Sequence, residues 1–89
     1  MVERAVTIAN ANGLHARPAA EIVKVAAKFK SDITLVRDDL EVNGKSIMGV
    51  MMLAAEFGST LLLRAEGPDA DEAVAALAAL IEGKFGESH

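Results

Sequence analysis

The sequence predicts an open-faced two-layer sandwich, a four-stranded sheet with helices packed on one of its faces. Three observations carry the prediction. Segments of period-two and of helical hydrophobicity follow one another in the order strand, helix, strand, strand, helix, strand, helix. Polar residues alternate with apolar ones on three of the strands, which leaves the second face of the sheet wet. At 89 residues, 52% of them hydrophobic and 25% charged, the chain is long enough for one domain spanning residues 1–89 with a single thin core layer. A functional site on such a domain lies near the surface.

Val2, Val6 and Ile8 alternate with Glu3 and Thr7 and define the first strand. Residues 10–13 are turn-rich. Ala19, Ile22, Val23, Ala26 and Phe29 then recur at helical spacing, with Arg17, Glu21, Lys24 and Lys28 on the opposite face, which predicts a helix over about 16–30. Residues 33–36 form a second strand, Asp38-Asp39 a tight polar turn, and Leu40 and Val42 the returning strand of a hairpin that Asn43-Gly44 ends.

Ser46 precedes the apolar run 47–55, whose Met and Ala content favours a helix, and serine is a preferred N-cap because its hydroxyl accepts from unpaired backbone amides. Gly58 stops that helix. The stretch 60–66 reads as a mostly buried strand closed by Gly67-Pro68. Asp69 with Glu72 three residues later resembles a capping box, and Val74, Leu77, Ala78 and Ile81 give the stripe of a third helix ending near Gly83. Residues 87–89 read as a loose tail.

Composition excludes several chemistries. The chain has no cysteine, so disulfides, thiolate nucleophiles and thiolate metal sites are ruled out. No metal-ligand constellation and no cofactor motif is present in the sequence. Nine basic against 13 acidic residues leave a net charge of −4, and Tyr and Trp are absent, which argues against nucleic acid as the partner. No apolar run is long enough to span a membrane and residues 1–12 do not resemble a secretion signal, so a cytoplasmic protein is expected.

The residues with chemical potential cluster at the start of the first helix. His15 falls between a strand end and a helix whose first turn holds Pro18, a residue tolerated there because its missing N–H would have had no partner. Unpaired amides and the positive end of the helix dipole converge on that place, which suits a phosphoryl group, and Ala16 and Arg17 supply the helix start. Arg17 adds a fork of donors matched to phosphate oxygens. That field disfavours a second positive charge on the ring, and an uncharged imidazole is a nucleophile. The plainer alternative is that His15 caps the helix and Arg17 is a solvated surface charge.

The helical wheel of the second helix buries Val50, Leu53 and Ala54 and leaves Ile47, Met48 and Met51 as a flexible apolar patch of the kind that binds several partners. Lys24, Lys28 and Lys30 with Arg17 form a mildly basic face, suited at most to steering towards acidic partners.

The segment Asn12-Gly13-Leu14-His15-Ala16-Arg17-Pro18-Ala19 resembles the active-site motif of the HPr family, the histidine-containing phosphocarriers of the bacterial phosphoenolpyruvate-dependent sugar phosphotransferase system (PTS). A second block, Asn43-Gly44-Lys45-Ser46-Ile47-Met48-Gly49-Val50-Met51, resembles that family's regulatory segment, so the resemblance covers nearly the whole chain. It implies an α+β fold of βαββαβα order, with a four-stranded antiparallel sheet ordered 1-4-2-3 and three helices on one face. It also implies that His15 accepts a phosphoryl group on Nδ1 from phosphorylated enzyme I and passes it to a sugar-specific enzyme IIA, with Arg17 as phosphate partner. The protein would then be a stoichiometric carrier rather than an enzyme, docking through Ile47, Met48 and Met51. Ser46 resembles the serine modified by HPr kinase/phosphorylase, with a catabolite control repressor as the further partner.

Two alternatives accompany that reading: a regulatory module of the same fold acting through phosphorylated Ser46 as a corepressor, and a carrier of a nitrogen-related branch. A monomer is expected of a protein that presents one small face to several partners. Two departures from the family pattern stand out, Ala54 where many members have Gly and Phe57 where many have a polar residue; both bear on the end of the second helix.

Overall fold

The computed structural model describes residues 1–87; Ser88 and His89, the end of the tail expected from sequence, lie outside the described residues. Alternating hydrophobicity produces four strands, β1 (Val2–Thr7), β2 (Asp32–Arg37), β3 (Leu40–Asn43) and β4 (Thr60–Glu66). The helices are α1 (Ala16–Ala26), α2 (Ile47–Met52) and α3 (Ala70–Glu82), followed by a single left-handed turn over Lys84–Gly86. All strand pairs are antiparallel and the spatial order is β1-β4-β2-β3, as the resemblance implies.

The register separates the two faces of the sheet. Val6, Leu61, Leu63, Leu35 and Ile33 share the buried face and join Ala19 and Ile22 of α1, Val50 of α2 and Val74, Leu77 and Ile81 of α3 in one core. Glu3 and Thr34 flank Arg64 on the opposite face. There the Arg64 guanidinium donates to Glu3 Oε2 at 2.9 Å and to Glu41 Oε1 at 3.1 Å, so the wet face is polar as predicted. Among the described residues no helix is long and apolar enough to cross a membrane.

Four features differ from the sequence expectation, each for a hydrogen-bonding reason. α1 ends at Ala26 rather than near Lys30. Lys28 N–H and Phe29 N–H bond three residues back, to Val25 and Ala26, which tightens the last turn. The next two amides, Lys30 and Ser31, leave the helix and donate to the Asp69 carboxylate, each at 2.9 Å.

That carboxylate explains the second difference. Asp69 is the N-cap residue of α3, yet it makes no side-chain cap hydrogen bond and the expected capping box does not form. Its Oδ1 instead takes the Ser31 hydroxyl at 2.6 Å. Ser31 is fully buried. The Ser31 hydroxyl and the Lys30 amide hold the Asp69 carboxyl at about 2, below its usual 3.8.

α2 stops at Met52, short of Ala55. Leu53 and Ala54 bond back three residues, Ala54 turns left-handed at φ 48, and Arg37 Nη1 donates to the freed carbonyls of Leu53 and Ala54 at 2.9 and 2.8 Å. The turn also corrects the predicted buried face: Val50, Leu53 and Ala55 are inside, and Ala54 is exposed. The fourth difference concerns the tail. Glu87 N–H bonds to Lys84 O at 2.8 Å and its side chain is tucked against the β1–α1 loop.

Candidate functional site

The loop from β1 to α1 is locked before it reaches His15. Gly13 adopts φ +66, and a Cβ there would stand 2.4 Å from Ala55 O, so only glycine lets the loop pass this close to the end of α2. Leu14 N–H bonds to that same Ala55 O at 2.9 Å, and the Leu14 side chain is buried. From the other side, the fully buried Asn10 donates from Nδ2 to Gly13 O at 2.9 Å.

His15 follows as the N-cap of α1, with extended backbone at φ −79, ψ −172, and its carbonyl receives Ala19 N–H at 3.0 Å. Its side chain makes no cap hydrogen bond, which excludes the plain capping role. The imidazole is 42% exposed instead. Behind it the amides of Ala16 and Arg17 open the helix with no preceding turn to accept them, and Pro18 has no amide to leave unpaired. Arg17 is exposed and among the described residues has no hydrogen bond or ion pair, so its guanidinium is free to reach an anion beside His15. The place combines an exposed imidazole, helix-start amides and an exposed guanidinium, a set of groups suited to an anion such as a phosphoryl group.

One neighbour was not legible in the sequence. Glu87 Oε2 lies 3.5 Å from His15 Nε2, while Glu87 Oε1 accepts Asn10 Nδ2 at 3.2 Å. Asn10 and Glu87 are separated by 77 positions, and no local periodicity marks their meeting.

Ser46 is the N-cap of α2, its Oγ accepting Gly49 N–H at 3.1 Å. Ile47, Met48 and Met51 are all exposed, Met48 most of the three at 76%. Met52 and Phe57, which sequence reasoning did not place in the patch, are exposed as well. α1 packs against α2, so the His15 loop and the apolar patch belong to adjoining elements. Among the described residues no three His, Asp or Glu side chains gather as metal ligands do.

Comparison with known proteins follows the same line. A family model described as the PTS HPr component phosphorylation site matches residues 2–83. The phosphocarrier protein HPr of Cupriavidus necator is 51% identical over 87 residues, 98% of each chain. The crystal structure of HPr-C-His from Thermoanaerobacter tengcongensis superposes with a TM-score of 0.96 at 50% identity over 100% of both chains. A structure of an HPr dimer from that organism gives 0.79 at 52% identity, covering 98% of this chain and 100% of the other.

Proposed function

The chain belongs to the HPr family of PTS phosphocarriers, and from that premise we propose that its phosphoryl group is carried on Nδ1 of His15. The observation that carries the proposal is the exposed imidazole at the start of α1, free of any capping bond and followed by unpaired amides and Arg17. Phosphorylated enzyme I supplies the group and a sugar-specific enzyme IIA removes it. The Nδ1 lone pair attacks phosphorus in line, and the equatorial oxygens turn towards the Ala16 and Arg17 amides and the Arg17 guanidinium, which balance their charge. Ala16 and Arg17 thus form the phosphate-binding helix start.

Ile47, Met48 and Met51 form the docking face for both partners, since unbranched thioethers repack against surfaces of different shape. The single domain of residues 1–89 acts in the cytoplasm as a monomer, keeping that face free. Ser46 regulates it: a phosphate on Oγ would stand at the α2 N-terminus and place about two negative charges at the edge of the apolar patch. HPr kinase/phosphorylase is the modifying partner in this reading, and a catabolite control repressor the one that reads the product. The geometry that favours regulation is the half-buried hydroxyl directly before Ile47.

The test is incubation with enzyme I and phosphoenolpyruvate, followed by intact-mass measurement at neutral and acid pH. One acid-labile phosphate, absent from His15→Ala, is expected; an acid-stable adduct or one retained by His15→Ala contradicts the assignment.

A further inference from the structure

Resting on the carrier reading, the geometry points to Glu87 as a positioning residue that holds the His15 ring proton on Nε2 and so leaves Nδ1 as the free nucleophile. The carboxylate oxygen Oε2 faces Nε2 at 3.5 Å, and the Glu87 side chain is only 14% exposed. A proton on Nε2 meets an acceptor there, whereas a lone pair on Nε2 would meet another lone pair. The contact therefore selects one of the two neutral tautomers. At 3.5 Å the pair is a close electrostatic contact rather than a formed hydrogen bond, and it acts because the positive end of an Nε2–H dipole is favoured beside a carboxylate and a lone pair is not.

Two further features show that Glu87 is held in place. Its second oxygen accepts Asn10 Nδ2 at 3.2 Å, and the same Nδ2 donates to Gly13 O at 2.9 Å. A single buried amide thus ties the carboxylate to the turn that delivers His15. The chain leading to Glu87 is also sharply bent, with Lys84, Phe85 and Gly86 in successive left-handed conformations at φ 59, 56 and 77. Non-glycine residues rarely adopt such angles, and two in succession persist only where surroundings enforce them. The buried Phe85 ring and the Gly86 N–H bond to Gly83 O at 3.2 Å supply that enforcement.

During transfer the Nδ1 lone pair forms the new bond to phosphorus while the donor's bond to phosphorus breaks and its electron pair stays with the donor. The proton remains on Nε2. The phosphorylated ring, protonated on Nε2, then bears positive charge that the adjacent carboxylate offsets. In onward transfer the N–P bond breaks, its pair returns to Nδ1, and the original tautomer is restored. Glu87 touches neither phosphorus nor the donor and acts only through the imidazole.

The test reads the tautomer directly. Ring 15N shifts of His15 in the full chain at about pH 9, above the usual imidazole range near 6.5, are expected to show the Nε2–H form in strong excess. Glu87→Ala should reduce that excess about threefold and slow phosphorylation by enzyme I by a similar factor, the order expected of one partly exposed electrostatic contact. The melting temperature should stay within a few degrees. An unchanged tautomer ratio in Glu87→Ala overturns the inference, as does a shifted ratio with an unaltered transfer rate. The tautomer measurement needs no phosphoryl donor, so failure of the carrier assignment would be seen separately, as absence of modification in the unsubstituted protein.

Discussion

Asp69 Oδ1 lies 2.6 Å from the Ser31 hydroxyl and also accepts the Ser31 amide at 2.9 Å, joining the start of β2 to the start of α3. A carboxylate that receives several donors is most useful while ionised. Its folded value of about 2 lies below the ordinary 3.8, so the stability it adds is fully present above about 3.8 and is lost as pH falls through about 2. Urea midpoints measured from pH 6 to pH 2 should fall for the wild-type protein through that window. Asp69→Asn should start lower and show a shallower acid decline. Parallel pH profiles for the two proteins would count against the linkage.

Ala54 is exposed and sits at φ 48, where its Cβ crowds the following carbonyl. Ala54→Gly should stabilise the protein by about 0.5–1 kcal/mol, the relief of left-handed strain exceeding the extra flexibility given to the unfolded chain. Denaturant unfolding checks this, and an unchanged or lower midpoint would mean that the turn is not strained.

Ser46 separates a cap from a switch. Ser46→Ala removes the acceptor for Gly49 N–H and should lower stability by about 1 kcal/mol while leaving the rate of phosphorylation by enzyme I within a factor of two. Ser46→Asp retains an N-cap acceptor but puts charge beside the patch, and should slow the same reaction roughly tenfold through weaker docking. Steady-state kinetics with each variant against enzyme I concentration reads the difference, and equal rates for the two would remove Ser46 from regulation.

Met48 extends into solvent at 76% exposure, so its replacement touches little of the core. Met48→Glu should change folding stability by no more than about 0.5 kcal/mol. It should weaken the complex with enzyme I at least tenfold, or about 1.4 kcal/mol, if the patch is a docking face. Calorimetric titration distinguishes this from an idle surface methionine, which would bind with the wild-type constant.

What the sequence made legible was local. His15 and Pro18 mark the start of α1, Ser46 and the methionines mark α2, and the period-two runs mark the strands, because each signal lies within one turn or one strand of its effect. The paired assignments that failed depend on partners far apart in the chain. Asp69 looks like a cap from Glu72 but is taken by Lys30 and Ser31, 39 and 38 positions away. The same two amides shorten α1, and Arg37 shortens α2 through carbonyls 16 and 17 positions on. Glu87 was read as tail because nothing near it in sequence hints at Asn10 or His15.

The central claim is that an accessible imidazole at the start of α1 carries phosphorus through Nδ1. The most direct measurement is one-bond 15N–31P coupling in protein labelled with 15N-histidine and phosphorylated by enzyme I. A coupling to Nδ1 of His15, with Nε2 still bearing its proton, is the predicted result. Coupling to Nε2, or phosphate on any other residue, would contradict it.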